Sequence, residues 1–448
     1  SSDLEGAVSL RLEKGRINAG WYPTGAVPGA AVILKSGTAE LVRRSLDAAP
    51  GTPVNLSAAP LKGVELYDYR ICVLDADGDT LIAFSLPRPA NPPLPSPEPP
   101  FPAPDKAESN EKLLLMGDYH ERFGEPERAE ACYREALRRD SGDLRSNTAL
   151  GVMLLKRGLY ADAAEYLKKA LSRDETYGKT RYYLGLAFLG LGEHRRAESE
   201  LARASYDFTY YGVSNLYLAC LSARQGRWVE ALERATRAVR GNGDNTEARA
   251  VQALALNRLG RFAEALEAAA DAQVDDPLDF LSASERAKAL EGLGRTMQAK
   301  AARDTLYALL RGESFNRIEL AVRYARCGLY GEAARVIEST GELKTPMLLY
   351  HLAWCRHMQG ENAASREALD RARRADPALN FPSGLESLPV LEWAAAAAPD
   401  DPPALSLLGE LFFSLGRRDE AIAAWEKSTG LDRSNARAWR NLGYSRAE

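Results

Sequence analysis

From about residue 108 to the end of the chain, apolar residues recur three and four positions apart in segment after segment. That spacing lays one apolar stripe along each of a series of helices. The segments also repeat. Gly124, Gly158, Gly192, Gly226, Gly260, Gly294 and Gly328 stand 34 residues apart, and each is followed five residues later by alanine, from Ala129 to Ala333. Seven residues further on come Ala136, Ala170, Ala204, Ala238 and Ala272, after which the pattern loosens to Leu306 and Thr340. Upstream, the small residues Gly117, Gly151, Gly185, Ala219, Ala253 and Ala287 keep the same step.

The run LLKRGLYADAAEYLKKAL (154–171) shows what each position does. Its glycine falls where one helix ends and the next begins, a place that favours φ > 0. The small residues let the two helices of a hairpin approach closely. Bulky residues such as Tyr133, Leu167, Leu201 and Trp425 fill the space to the neighbouring hairpin. Each stripe is buried only by stacking on the next hairpin, so the array is stable only as a series. Small residue, turn glycine, alanine, bulky residue and alanine in this order resemble the tetratricopeptide repeat, with its late proline at Pro277 and Pro377 and its first-helix tryptophan at Trp439. The fold class expected is therefore mainly α, a solenoid of about eight hairpins over 108–379. The register slips after Gly328: the next turn glycines are Gly360 and Gly416. The extra piece, 376–403, reads as a proline-bounded loop and one additional helix over 385–398, which gives an insertion at 380–401 and repeats resuming over 402–448. The last segment, 436–448, is a first helix without its second, and the chain reads as a fragment of a longer protein.

Residues 1–88 have a different texture. Short β-rich runs at 7–13, 29–35, 39–46, 53–58, 66–75 and 80–86 are separated by Gly, Pro and Asp. Tyr67, Tyr69, Ile71 and Val73 alternate with Asp68, Arg70 and Cys72, as in a strand with one buried face. Asp75–Ala76–Asp77–Gly78 is a hairpin turn signal. Six or seven strands in this length predict a small all-β, immunoglobulin-like sandwich. A proline-rich linker over 89–107 joins it to the repeats and reads as an extended spacer.

Composition narrows the function. Formal net charge is -4, which argues against nucleic acid as partner. No apolar run is long enough to span a membrane. Cys72, Cys132, Cys220, Cys327 and Cys355 are scattered and odd in number, with no CxxC pair, which points to free thiols in a reducing, cytoplasmic setting. His351 and Cys355, with His357 nearby in HLAWCRHMQG, have metal-like spacing but no full ligand set, so core packing is the expectation and no metal or other cofactor is expected. Asp75, Asp77 and Asp79 lack the rest of a calcium loop and read as a turn. No phosphate-cradling glycine motif or nucleophile elbow is present, and no enzyme is expected within these residues.

In tetratricopeptide arrays ligands lie along a concave face lined by the first helices. The resemblance transfers that face to Asp118, Arg122, Thr148, Val152, Lys179, Tyr182, Leu186, Leu216, Cys220 and Arg224. The stretch 177–217 is rich in tyrosine, and tyrosine with arginine is the composition of interaction hot spots. Partner-binding candidates are thus Arg122, Lys179, Tyr182, Tyr183, Tyr217 and Arg224. The Lys/Asn clamp of the family's chaperone-tail receptors is absent, since Leu114, Asp118 and Ala149 occupy its positions and Tyr183 replaces its later base. The expected partner is a protein or peptide segment, or another domain of the same chain, with self-association as a further route. The whole layout, most specifically 349–443, resembles the C-terminal part of large bacterial repeat proteins that begin with a galactose-mutarotase-like β domain. That resemblance implies an alternative role as the accessory region of a carbohydrate-active protein whose catalytic domain is not in this chain.

Overall fold

The computed structural model describes residues 2–3, 6–88, 101–339, 345–376, 380–382 and 384–447. The linker reading thus lies largely outside the described residues, as does Pro377. The chain forms two compact units, 1–100 and 101–448.

The first unit is a two-sheet antiparallel sandwich. Its strands are β1 (Ser2–Asp3), β2 (Gly6–Glu13), β3 (Arg16–Pro23), β4 (Val27–Ser36), β5 (Ala39–Ala48), β6 (Val54–Ala58), β7 (Tyr69–Leu74) and β8 (Thr80–Phe84). One sheet runs β1-β2-β3-β6 and the other β5-β4-β7-β8. Alternation sends Val8, Leu10, Ile17, Ala19 and Trp21 inward from one sheet, and Val32, Leu34, Ile71, Val73 and Ile82 from the other, into one core. Besides the two-residue β1, β3 is the strand that no expected run covered. Its inward residues Ile17, Ala19 and Trp21 alternate with Asn18 and Gly20, which have low strand propensity. Its pairing on both edges, with β2 and β6, supplies what propensity does not. Lys14 (φ 51°) and Gly15 (φ 72°) make the two-residue turn that starts it. At the next hairpin, the amides of Asp77 and Asp79 donate to Asp75 Oδ1 at 3.0 and 2.8 Å, so the DADGD run is a turn that folds onto its own carboxylate.

The second unit is a solenoid of helical hairpins. The first eight pair Asn110–Arg122 with Pro126–Arg139, Leu144–Lys156 with Tyr160–Arg173, Gly178–Gly190 with His194–Ala204, and Phe208–Arg224 with Trp228–Gly241. They continue with Thr246–Arg258 and Phe262–Asp275, Phe280–Gly292 and Thr296–Leu310, Ser314–Arg326 and Tyr330–Glu338, and Pro346–Met358 and Asn362–Arg374. A 3-10 turn (Leu385–Ser387) and an extra helix (Leu388–Ala397) precede the ninth hairpin, Pro402–Ser414 with Arg418–Leu431, and a last helix Ala436–Ala447.

The local code is visible at each joint. The turn glycines all have positive φ, 70–79° from Gly124 to Gly416. In hairpin 2 the Leu159 amide reaches back to the Leu154 carbonyl (2.9 Å) and the Gly158 amide to Leu155 (2.9 Å), which satisfies carbonyls left over at the helix end. First helices are capped by short polar side chains: Ser109, Asp143, Asp207, Asn245, Asp279 and Asp401 each accept from an early backbone amide. The small residues face bulky partners. A Cβ on Gly117 would lie 2.3 Å from Tyr133, on Gly151 2.6 Å from Leu167, and on Gly409 2.5 Å from Trp425. These glycines are sockets, and the bulky residue seven positions past the turn alanine's helix start is the plug.

The solenoid curls until later hairpins meet earlier ones. Arg224 of hairpin 4 donates to the Tyr330 hydroxyl of hairpin 7 at 2.7 and 2.9 Å. Arg326 pairs with Glu247 and, at 3.3 Å, with Glu386 of the extra segment. Leu388 and Leu385 seat against Gly158 of hairpin 2. The extra helix is buried through Leu388, Val390, Leu391 and Ala394 and belongs to one core that runs from hairpin 4 to the last helix.

Candidate functional site

The first helices line the inner face of the curl, and their fate differs along the array. In hairpins 2 and 4 the inner positions Thr148, Val152, Leu216 and Cys220 are all buried. Thr148 Oγ1 lies 2.6 Å from Thr180 Oγ1 on the next hairpin. Cys220 lies beside Cys327, whose thiol is pushed up by that contact and by burial. This stretch of the inner face is filled by the chain itself.

The six residues singled out from the sequence divide accordingly. Tyr182, Tyr183 and Tyr217 come together with Tyr210: ring centres lie 5.2 Å (Tyr182–Tyr183), 5.2 Å (Tyr182–Tyr210) and 6.2 Å (Tyr182–Tyr217) apart. Burial, then the neighbouring phenols, pushes the Tyr182 phenol up, and burial pushes Tyr210 up to about 12. Tyr217 also sits under the Arg326 guanidinium, 5.9 Å from ring centre to Cζ. Arg224 is engaged across the curl by Tyr330, with its guanidinium 5.4 Å from that ring. Arg122 and Lys179 are exposed, on different hairpins. Around this cluster, Tyr206 and Phe208 are 91 % and 90 % exposed at the junction of hairpins 3 and 4.

The HLAWCRHMQG segment is structural. His351 is buried against Ser387 (3.4 Å), and burial pushes its imidazole down to about 4. Burial pushes the Cys355 thiol up to about 12. His357 instead stacks on Trp393 of the extra helix, ring centres 4.8 Å apart. The three side chains therefore do not converge. Among the described residues no three His, Cys, Asp or Glu side chains form a metal-binding group.

A second part of the inner face stays open. Between hairpin 9 and the last helix, a cavity of about 440 Å3 is lined by Phe381, Glu410, Phe413, Arg437, Arg440 and Tyr444. Arg437 holds Glu410 through one carboxylate oxygen, while the other, Oε1, is buried without a hydrogen-bond partner. Burial outweighs Arg437 and pushes the Glu410 carboxyl up to about 7. Sequence reasoning missed this surface because it placed the inner-face positions only in the first four hairpins. Realigning the inner-face positions on Gly416, after the register slips, would have reached Glu410, and one further 34-residue step Tyr444.

With this geometry in place, comparison with known families gives the class. Residues 114–178, 218–280, 385–429 and 407–448 match one tetratricopeptide repeat profile, and 154–209 match another. The hairpins are tetratricopeptide repeats, and the match from 385 takes in the extra helix. Residues 2–84 match the profile described as "YphG-like protein, second domain". Among solved structures, a tetratricopeptide repeat protein from Parabacteroides merdae is similar at 15 % identity and TM-score 0.42, over 58 % of this chain and 100 % of its own. Pseudomonas aeruginosa pilF is similar at 19 % identity and TM-score 0.41, over 46 % and 93 %. YrrB, described as a TPR protein with an unusual peptide-binding site, is similar at 18 % identity and TM-score 0.36, over 41 % and 95 %. No curated protein matches. Among the described residues no helix is long and apolar enough to cross a membrane.

Proposed function

We propose that the chain is a non-catalytic protein–protein interaction scaffold. The observation that carries this reading is a tetratricopeptide array that leaves aromatic and basic side chains open on limited stretches while it fills the rest of its inner face internally. One stretch is the exposed Arg122, Lys179, Tyr206 and Phe208 beside the half-buried Tyr182 and Tyr183; the other is Phe413, Arg440 and Tyr444. Exposed tyrosine and arginine in groups are what partner surfaces use. Tyr217 and Arg224 contribute by holding the tyrosine cluster and the curl in place.

The test is affinity capture from source-cell extract with the wild type and two folded variants, Lys179→Glu/Tyr182→Ala and Arg440→Glu/Tyr444→Ala. A protein retained by the wild type and lost from one variant supports the scaffold reading and locates its surface. Identical retention by all three removes both of these surfaces, and no protein retained by any of the three sinks the scaffold reading.

A second reading, that these residues form the accessory region of a larger bacterial multidomain protein with a carbohydrate-related activity, is favoured by one observation. Residues 2–84 match a domain described as second in YphG-like proteins. Sugar hydrolysis by the native gene product that is missing from residues 1–448 supports it; a native product that starts at Ser1 removes it.

A further inference from the structure

Hairpins 1 to 6 stack second helix on next first helix without a break, and that packing becomes sparse between Thr296–Leu310 and Ser314–Arg326. The chain turns there through two consecutive left-handed residues, Arg311 (φ 52°) and Gly312 (φ 69°). The two hairpins splay, and a cleft of about 480 Å3 opens between them. That size falls within the roughly 300–1,000 Å3 of ligand sites.

The cleft has a polar floor and apolar walls. On the floor, the Glu285 carboxylate is fully buried. It accepts from the Tyr324 hydroxyl (2.5 Å), Lys288 Nζ (2.8 Å) and Asn257 Nδ2 (2.8 Å), and the Tyr324 oxygen in turn accepts from the Ser284 hydroxyl (2.7 Å). A carboxyl group buried this deeply is costly unless donors meet its oxygens, as these three do. The walls are Leu306, Tyr307 and Leu310 on one side and Leu320 and Val336 on the other.

The charges at the mouth are unequal. Glu285 and Glu332 are only 1 % and 13 % exposed, and are taken up by the floor and by Arg258. Lys288, Arg303 and Arg335 reach toward solvent at 39 %, 39 % and 74 % exposure; Arg303 is paired with Glu291 at 2.9 Å, and Arg335, at 3.4 Å, shares Glu332 with Arg258. The lining thus holds four bases (Arg258, Lys288, Arg303, Arg335) against three carboxylates (Glu285, Glu291, Glu332), an excess of one positive charge in a protein whose formal net charge is -4. Lys288 spends two of its three donors on Glu285 and Tyr324, which leaves one to meet an incoming acceptor.

We propose that this cleft binds an acidic linear peptide of a partner protein, with one large apolar side chain of the peptide lodged between Tyr307, Leu310 and Val336. The peptide's carboxylates face Arg303, Arg335 and Lys288. The proposal rests on the scaffold reading and names the chemistry of one of its partners. The cleft's floor occupies the repeat positions that Tyr182, Tyr183 and Arg224 hold in earlier hairpins, since the 34-residue step carries these to Ser284, Glu285 and Arg258, and its walls come from the gap between two hairpins.

The test is fluorescence anisotropy on the whole chain with labelled short peptides of Asp, Glu, Ser and Gly around a central Phe-Leu anchor. Charge-reversed peptides with Lys and anchor-free peptides with Ser serve as controls, and laurate tests a small amphiphilic acid. The expected result is salt-sensitive binding of the anchored acidic peptide only. Affinity should fall about tenfold or more in Arg303→Glu/Arg335→Glu and in Tyr307→Ala, each with wild-type melting, and stay unchanged in Arg440→Glu. Three results overturn the proposal: no binding by the wild type, equal binding of the charge-reversed peptide, or indifference to the 303/335 and 307 substitutions. Laurate binding without peptide binding replaces the peptide with a small-molecule ligand. Failure here with partner capture still dependent on Lys179 or Arg440 leaves the scaffold reading standing.

Discussion

Leu388→Ala tests whether the extra helix closes the curl. Leu388 is 1 % exposed and meets hairpin 2 at Gly158, some two hundred residues away in sequence. The substitution removes three buried carbons, about 2.4 kcal/mol of transfer at roughly 0.8 per carbon. Incomplete collapse of the cavity adds to this, for a total of about 3–4 kcal/mol. Leu167→Ala is the control, because Leu167 is equally buried (0 %) but packs within hairpins 2 and 3, against Gly151. Both variants should lose similar stability in urea. Native-state hydrogen exchange should separate them. Leu388→Ala should loosen the amides of the hairpin 2 turn, Gly158 to Tyr160, together with those of the hairpin 7 turn around Gly328 to Tyr330, because Arg224–Tyr330 and Arg326–Glu386 bridge the same closure. Leu167→Ala should loosen hairpins 2 and 3 and spare hairpin 7. If Leu388→Ala costs its full energy while both turns keep wild-type protection, the extra helix is a local plug and the curl is held elsewhere.

Three more outcomes follow from the same geometry. Gly192 has φ 72° with no atom near its missing Cβ, so Gly192→Val should cost about 2–3 kcal/mol from backbone strain alone, and Gly192→Asn clearly less, read by thermal melting. Ala197, 0 % exposed, sits between helices, so Ala197→Leu should lose about 1–3 kcal/mol through overpacking; wild-type melting would mean the hairpin register is wrong. Glu410 adds a falling limb to the pH dependence, opposed between about 4 and 6.5 by the rise that buried His351 gives. Its carboxyl ionises near 7 when folded against an ordinary value of 4.5, so the native state holds the extra proton between those values. Stability from this group is complete below pH 4.5, falls as pH rises through 7 and is level above it, by at most about 3 kcal/mol. Glu410→Gln should remove that decline in urea titrations across pH 4 to 8 and leave the His351 rise from about 4 to 6.5, and a variant that keeps the wild-type slope refutes the assignment.

Much of the helical unit was legible because its code is local and redundant. Gly158 must turn left-handed, Gly151 must make room for Leu167, and each requirement returns every 34 residues, so several positions report the same geometry. The same holds in part for the strand through Tyr69, Ile71 and Val73, which face the core while Arg70 is exposed; Cys72, expected outward, is buried as well, and Tyr67 falls in a 3-10 turn (Leu66–Asp68) ahead of the strand. β3 was not legible because Asn18 and Gly20 carry no strand signal of their own, and its place between β2 and β6 is a long-range fact.

The site was the harder part, and the reason is curvature. A 34-residue period says that hairpins stack, but small changes in how each meets the next decide where hairpin 7 arrives relative to hairpin 4. Arg224 looks from the sequence like an exposed hot-spot arginine, and only the closed curl turns it to Tyr330. Glu285 and Lys288, three apart on one helix, look like an ordinary surface ion pair. They become the floor of a cleft because Arg311 and Gly312 splay the next hairpin and Tyr324 is carried over them. Residues that a regular solenoid would expose are thus spent on closure in hairpins 2 to 4. Residues it would bury against a neighbour are opened at hairpins 6 and 7. A partner surface in this protein is set by the departures from the repeat, and the repeat's own consensus positions mark mainly what holds those departures in place.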